Sequence, residues 1–233
     1  MSITHFTWLA LIICVAGCTK KEELSECLGS CTVISGRLLT SGSAPIANVP
    51  VAFIWTGRPS GGSVYKSNKK AEVRTDADGR YRVSGFLTDD ELANGYIKAV
   101  FAADPSQYYV IGELDQAFIN PKRDTIYTAS DYLIPRKAYL KLVVSNPSQI
   151  PNHGAFLSDF NNCYGGNTVY STKIGGGGPV VFWDTLPLQN PMEVSGDQPI
   201  LIRHHRYISG LLTHTTDSIF IPAGTTRTYT ATY

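Results

Sequence analysis

Val73-Arg74-Thr75-Asp76-Ala77-Asp78-Gly79-Arg80-Tyr81-Arg82-Val83 sets two alternating segments on either side of an Asp-Gly pair. Apolar and polar residues in strict alternation mark a strand with one buried face. Gly79 takes up positive φ without steric cost, and Asp side chains bond back to turn amides. The stretch reads as a β-hairpin, and the chain around it reads as β. The Asp76-Ala77-Asp78-Gly79 run also invites calcium. A calcium loop needs six or more oxygens, including a bidentate acid further on, and the spaced acids are missing. A turn accounts for the run.

The same alternation continues outward from this stretch. Upstream, Ile34, Gly36 and Leu38 share one face, and Val49, Val51, Phe53 and Trp55 share another beyond a Ser41–Pro45 loop. Arg58–Ser63 is rich in Gly, Pro and Ser and reads as a surface loop. Downstream, Gly95–Ala102, Tyr108–Gly112 and Ile126–Ile134 read as strands. Pro135-Arg136 reads as a boundary, after which Leu140, Leu142 and Val144 open a second alternating set. Ser145–Gly178 is loop-rich. Strands resume at Val180–Trp183, Pro199–Tyr207 and Ser218–Ile221. The last, Thr226–Tyr233, places Thr226, Thr228, Thr230 and Thr232 on one face. The chain has 233 residues, 43% hydrophobic and 17% charged, which allows a sizeable core. The expected fold class is all-β, with two β-sandwich domains over residues 32–135 and 136–233.

Three segments carry a family resemblance. Thr32-Val33-Ile34-Ser35-Gly36-Arg37-Leu38, Pro45-Ile46-Ala47-Asn48-Val49-Pro50-Val51 and Thr75-Asp76-Ala77-Asp78-Gly79-Arg80-Tyr81 follow one another in order. Together they resemble the carboxypeptidase regulatory-like domain, a transthyretin-like seven-stranded sandwich. The resemblance covers roughly Thr32–Ala102. It implies a non-enzymatic accessory module of the kind found at bacterial surfaces, with no catalytic residues to carry over. The second domain resembles no family we recognise.

The N-terminus reads differently from the rest. Phe6–Ala16 is apolar and ends in Val15-Ala16-Gly17-Cys18. The run is shorter than the ~20 residues that cross a bilayer and fits the centre of a secretory signal. It resembles the lipobox of bacterial lipoproteins, although no Lys or Arg precedes it. The resemblance implies cleavage of residues 1–17 and acylation of Cys18, with palmitate among the chains. Each buried methylene contributes about 0.8 kcal/mol, so two or three chains anchor durably. Residues 18–31 would be a tether. Lys21, Glu22 and Glu23 resemble the surface-export signal of Bacteroidota lipoproteins. The implied location is the outer membrane of a bacterial envelope, and that signal implies export to the cell surface.

Of five cysteines, Cys27, Cys31 and Cys163 remain after Cys14 and Cys18. One disulfide is expected among the three, either Cys27 with Cys31 or one of them with Cys163. Three thiolates could also hold a metal, a less favoured reading. In Arg203-His204-His205-Arg206 the two histidines of a strand face opposite ways, so together with His214 they make a poor metal site. Gly175–Gly178 lacks the Gly-Lys-Ser/Thr that would reach a phosphate. No Gly-x-Ser-x-Gly elbow is present. Neither a metal nor a cofactor is expected, and no catalytic residue is assigned. The net charge of +1 gives no reason to expect nucleic acid. Tyr164, Tyr170 and Trp183 are candidate ligand contacts, because aromatic rings stack on sugar faces; core packing is the alternative for Trp183. Asp124-Thr125-Ile126, Asp184-Thr185-Leu186 and Asp217-Ser218-Ile219 resemble short O-glycosylation acceptors. The expected partners are the membrane, through the lipid anchor, and a glycan or an envelope protein. The expected role is binding or scaffolding, with a subunit of a surface assembly as the alternative and a hydrolase with its site in the second domain as a third reading.

Overall fold

A computed structural model describes residues 27, 29–60, 64–165, 178–185 and 191–233. The apolar run, Cys18 and Lys21-Glu22-Glu23 lie outside the described residues. Among those described, no helix is long and apolar enough to cross a membrane. The chain is all-β, and among the described residues four sheets form two sandwich-like domains.

In the first domain, β1 (Thr32–Thr40) is central to one sheet. It pairs antiparallel with β2 (Ala44–Pro45) and with β5 (Arg80–Gly85). Two short strands, β8 (Ile126–Thr128) and β9 (Tyr132–Leu133), run parallel to it. The facing sheet has the order β4-β3-β6-β7, with β3 Pro50–Gly57, β4 Lys66–Arg74, β6 Gly95–Phe101 and β7 Asp115–Ile119. A short helix, α1 (Asp89–Asn94), precedes β6 and is capped by a Thr88–Glu91 box. The alternating residues meet between the sheets as expected. Ile34, Leu38, Val51, Phe53, Val83, Ile97 and Ala99 are fully buried, and Trp55 nearly so. Each of the Val, Leu, Ile and Phe side chains contributes about 1.5–3 kcal/mol by leaving water.

The Val73–Val83 segment is not a hairpin. β4 pairs with β3 and β5 pairs with β1, so the Asp-Gly turn carries the chain from one sheet to the other. The turn chemistry is as read. Asp76 Oδ1 accepts the Asp78 and Arg80 amides at 2.9 and 2.8 Å, and Gly79 has φ +74°. Thr75 redirects the strands. Its buried hydroxyl donates to Ile46 O at 2.7 Å and accepts the Val49 amide at 3.0 Å. This ties the end of β4 to the segment before β3. Inward side chains of β4 and β5 then face each other across the core, a placement that alternation alone does not distinguish from one hairpin face.

In the second domain one sheet has the order β13-β10-β16, from Met192–Ser195, Lys137–Val144 and Thr226–Ala231. The other has the order β12-β11-β14-β15, from Val180–Phe182, Phe156–Asn161, Gln198–Ile208 and Leu211–Ile221. Leu140, Leu142, Phe156, Phe160, Ile200 and Ile202 fill the space between. The strand β11 lies inside the stretch read as loop, and β13 was not anticipated. Tyr108–Gly112 is irregular apart from a bridge from Tyr108 to Arg136, and the strand expected there sits at β7. β15 extends back to Leu211, turning from β14 through Ser209 and Gly210, both at positive φ.

The domains touch directly. Leu133 and Gly165 exchange two backbone hydrogen bonds of 3.0 and 2.7 Å. Ser41 Oγ donates to Gly196 O at 2.8 Å, and Arg136 pairs with Asp197. Cys27 and Cys31 form a disulfide just before β1, and Cys163 lies buried and outside it. Of the pairings left open by the sequence, the structure has the local one.

Thr75→Val removes both hydroxyl bonds and strands the Val49 amide and the Ile46 carbonyl. The expected loss is about 1–3 kcal/mol, seen as a lower urea midpoint. An unchanged midpoint would contradict the role given to Thr75.

Candidate binding face

Each strand of the β12-β11-β14-β15 sheet alternates between the core and the outside, so the two faces are specified together. The inward face carries a continuous polar chain. Trp183 Nε1 donates to Ser158 Oγ at 2.6 Å, and Ser158 Oγ lies 2.6 Å from His204 Nδ1. His204 Nε2 lies 2.7 Å from the Tyr229 hydroxyl, which donates to Asp217 Oδ2 at 2.9 Å. The directions follow from the ends. An indole nitrogen only donates and a carboxylate only accepts. Ser158 therefore donates to Nδ1, and a neutral His204 donates from Nε2 to Tyr229. Burial, then the nearby Arg206 charge, pushes the imidazole down to about 4. Burial, then the Asp217 carboxylate, pushes the Tyr229 phenol up.

Ser158 beside His204 has the distance of a nucleophile and its base. Ser158 is fully buried, however, and Trp183 occupies its oxygen. No substrate could reach it, so the arrangement is structural.

The outward face is different in character. Cross-strand register aligns Phe182, Leu157, His205 and His214 in one row. The His205 and His214 rings stand perpendicular with centroids 4.7 Å apart, and His205 Nε2 meets Asp159 Oδ2 at 2.8 Å. Beside this row, a groove runs between the 151–155 loop and the β14–β15 tip, lined by Pro151, His153, Tyr207 and Gly210 among others. Its walls are joined where the Tyr207 amide donates to Ala155 O at 2.9 Å. His153 stacks on Phe182 with centroids 5.3 Å apart, and its Nδ1 meets Asp184 Oδ2 at 2.7 Å. Tyr207, Ile208, Leu211 and Leu212 are exposed around the tip, and Tyr207 is 47% accessible. Exposed apolar side chains gathered in one place mark an interaction surface more often than scattered ones do.

The candidate contacts fall out as follows. Trp183 is 1% exposed and belongs to the core, packed against Phe156 and Phe160; as a ligand contact it is corrected, because its ring and its N–H are both occupied inside. Tyr164 is half-buried at the seam, and Tyr170 lies outside the described residues. His204 faces inward and His205 outward, so they do not share a ligand. Among the described residues no group of three or more His, Cys, Asp or Glu is placed to hold a metal. Phe182, one position from Trp183, and Tyr207 are exposed here and were not singled out as candidate contacts.

No protein-family model and no curated protein matches the chain. Several solved structures resemble it distantly. A streptococcal ancillary pilin is 13% identical with TM-score 0.30, covering 87% of this chain and 62% of its own. The chain thus spans under two thirds of that pilin. BcpA, the major pilin subunit of Bacillus cereus, is 11% identical with TM-score 0.30, covering 82% of this chain and 69% of its own. A Bacteroides thetaiotaomicron protein described as a candidate polysaccharide binder is 9% identical with TM-score 0.25, covering 78% of each. Likeness this distant says nothing about activity or partner.

The neutral His204 has a pH consequence. The unfolded chain takes up a proton near pH 6.5 and the folded chain near 4, so between these values the unfolded state binds more protons. Stability contributed by this residue is complete above pH 6.5 and falls by about 3 kcal/mol as pH drops towards 4. The urea midpoint should fall more steeply over this range in the native chain than in His204→Gln; equal slopes would contradict the assignment.

Proposed function

We propose that the chain is a lipid-anchored envelope protein with a non-enzymatic binding role, presenting the outward groove of its second sandwich to a glycan. The observation that carries this reading is the Phe182–His153 stack beside exposed Tyr207, with Asp184 bonded to His153 in the turn after β12 and Asp159 bonded to His205 on the sheet. Aromatic faces receive the C–H faces of sugar rings, and carboxylates accept sugar hydroxyls. Rigid aromatics with few torsions lose little entropy on binding. Acylation of Cys18 supplies the anchor, and Lys21-Glu22-Glu23 the route to the surface. The first sandwich, with the regulatory-like motif order, is the accessory module that spaces the groove from the membrane. A boundary at Pro135-Arg136 is supported by the cores, which end at Ile134 and resume at Ala138.

A second reading, a subunit of a surface assembly, is favoured by one specific feature. β15 is the outer strand of its sheet, and β16 lies at the edge of the other. An open edge can pair with a strand from another chain.

A glycan array probed with the chain from Cys27 onward should give defined hits. Phe182→Ala and Tyr207→Ala should each weaken them tenfold or more, since truncating a central aromatic costs about 2 kcal/mol, while Tyr164→Phe leaves them intact. No hits, or hits that ignore both substitutions, would remove the glycan reading. On cells, Cys18→Ala should release the protein from the membrane fraction; if it stays bound, the anchor is wrong.

A further inference from the structure

The outer face of the first sandwich carries a concentration of arginine that neither its core nor the groove of the second sandwich uses. The β1–β5 register sets Arg37 directly opposite Arg80, and Ser35 opposite Arg82. These residues and Arg74, at the end of β4, line an open groove of about 670 Å³ that reaches across β1 to Thr128 and Asp131. That volume falls within the range of about 300–1,000 Å³ of ligand sites. Two strand spacings of about 4.8 Å give it a width of about 10 Å, enough for more than one sugar ring.

The charges there are not spent on one another. Like charges directly opposite across a ladder destabilise it. None of the four arginines forms an ion pair among the described residues. Arg37 commits its Nε to Asp78 O at 2.8 Å, and Arg74 commits one Nη to Asn48. For Arg80 and Arg82 there is no side-chain hydrogen bond among the described residues. The acids lining the groove are Asp76 and Asp131. Asp76 is held in its turn by two backbone amides, so it cannot swing out to neutralise an arginine without opening the corner between the sheets.

We propose that this groove binds an acidic glycan, with Arg37, Arg80 and Arg82 holding its carboxylate or sulfate groups. The planar guanidinium matches both oxyanions through paired N–H donors. An anion seated between Arg37 and Arg80 removes the repulsion of the opposed pair. Nucleic acid fits the face less well. Base stacking needs exposed rings, and the tyrosine of this groove, Tyr81, is 4% exposed, with its hydroxyl bonded to Gln116.

The test is binding of the chain from Cys27 onward to oligogalacturonate, dextran sulfate and a single-stranded oligonucleotide, titrated at two salt concentrations. Arg37→Gln/Arg80→Gln/Arg82→Gln is compared with Lys66→Gln/Lys69→Gln, which removes charge from β4 instead. The expected result is salt-sensitive binding of one or both acidic glycans that falls a hundredfold or more in the arginine variant and less than threefold in the lysine variant. Whichever glycan binds identifies carboxylate or sulfate as the group recognised. Phe182→Ala should leave this binding unchanged, which separates it from the second-sandwich groove. Urea midpoints give an independent readout, since Arg80→Gln should hold or raise stability. The proposal is overturned if neither glycan binds, if both variants lose binding equally, or if the oligonucleotide binds more tightly than either glycan.

Discussion

The hydrogen-bond chain from Trp183 through Ser158, His204 and Tyr229, all buried, to the exposed carboxylate of Asp217 is the constraint on which the second domain depends. It links every strand of the larger sheet, or the residue just past it, and crosses to the smaller sheet through Tyr229. A polar group left unpaired in such a place would cost about 1–3 kcal/mol. Each member therefore holds its neighbour in one register. A one-residue slip would turn Ser158 and His204 outward and bring Asp159 and His205 into the core. The outward residues are fixed by the same demand, because Phe182, Asp159 and His205 sit one position from Trp183, Ser158 and His204. The proposed binding face is thus the reverse side of a satisfied core network.

Much of this fold was legible wherever inward positions are apolar. Val49 to Trp55, Ile97 to Phe101 and Leu140 with Leu142 alternate plainly and are buried as read. Reading failed where a polar residue belongs inside. In β11 the inward triplet is Phe156, Ser158 and Phe160, and the serine breaks the pattern. β15 failed for another reason: its N-terminal half lies beyond the sandwich and is exposed on both faces, so it carries no periodicity. The Asp-Gly turn was legible as a turn. Its partners were not, because whether two strands pair or part depends on Thr75 meeting Ile46 and Val49, a contact between distant positions.

The site was less legible than the fold, for related reasons. Aromatic content singled out Trp183, but a ring in a strand faces in or out according to one position of phase. That phase put Trp183 inside and Phe182 outside. The groove wall at Tyr207 needed the long hairpin to be recognised first. The arginine groove of the first sandwich shows the same limit. Arg80 and Arg82 are visibly on one face of a strand, yet Arg37 joins them only through the β1–β5 register.

The account stands on the protonation pattern of the buried chain, and the imidazole nitrogens of His204 report it directly. Long-range ¹H–¹⁵N correlation spectra, assigned with His204→Gln and recorded from pH 7.5 to 4.5, would show it. The account predicts a neutral ring with its proton on Nε2, unchanged down to about pH 5. A proton on Nδ1, or a ring that titrates near pH 6.5, would break the chain at its centre and with it the argument that the core holds the binding face in place.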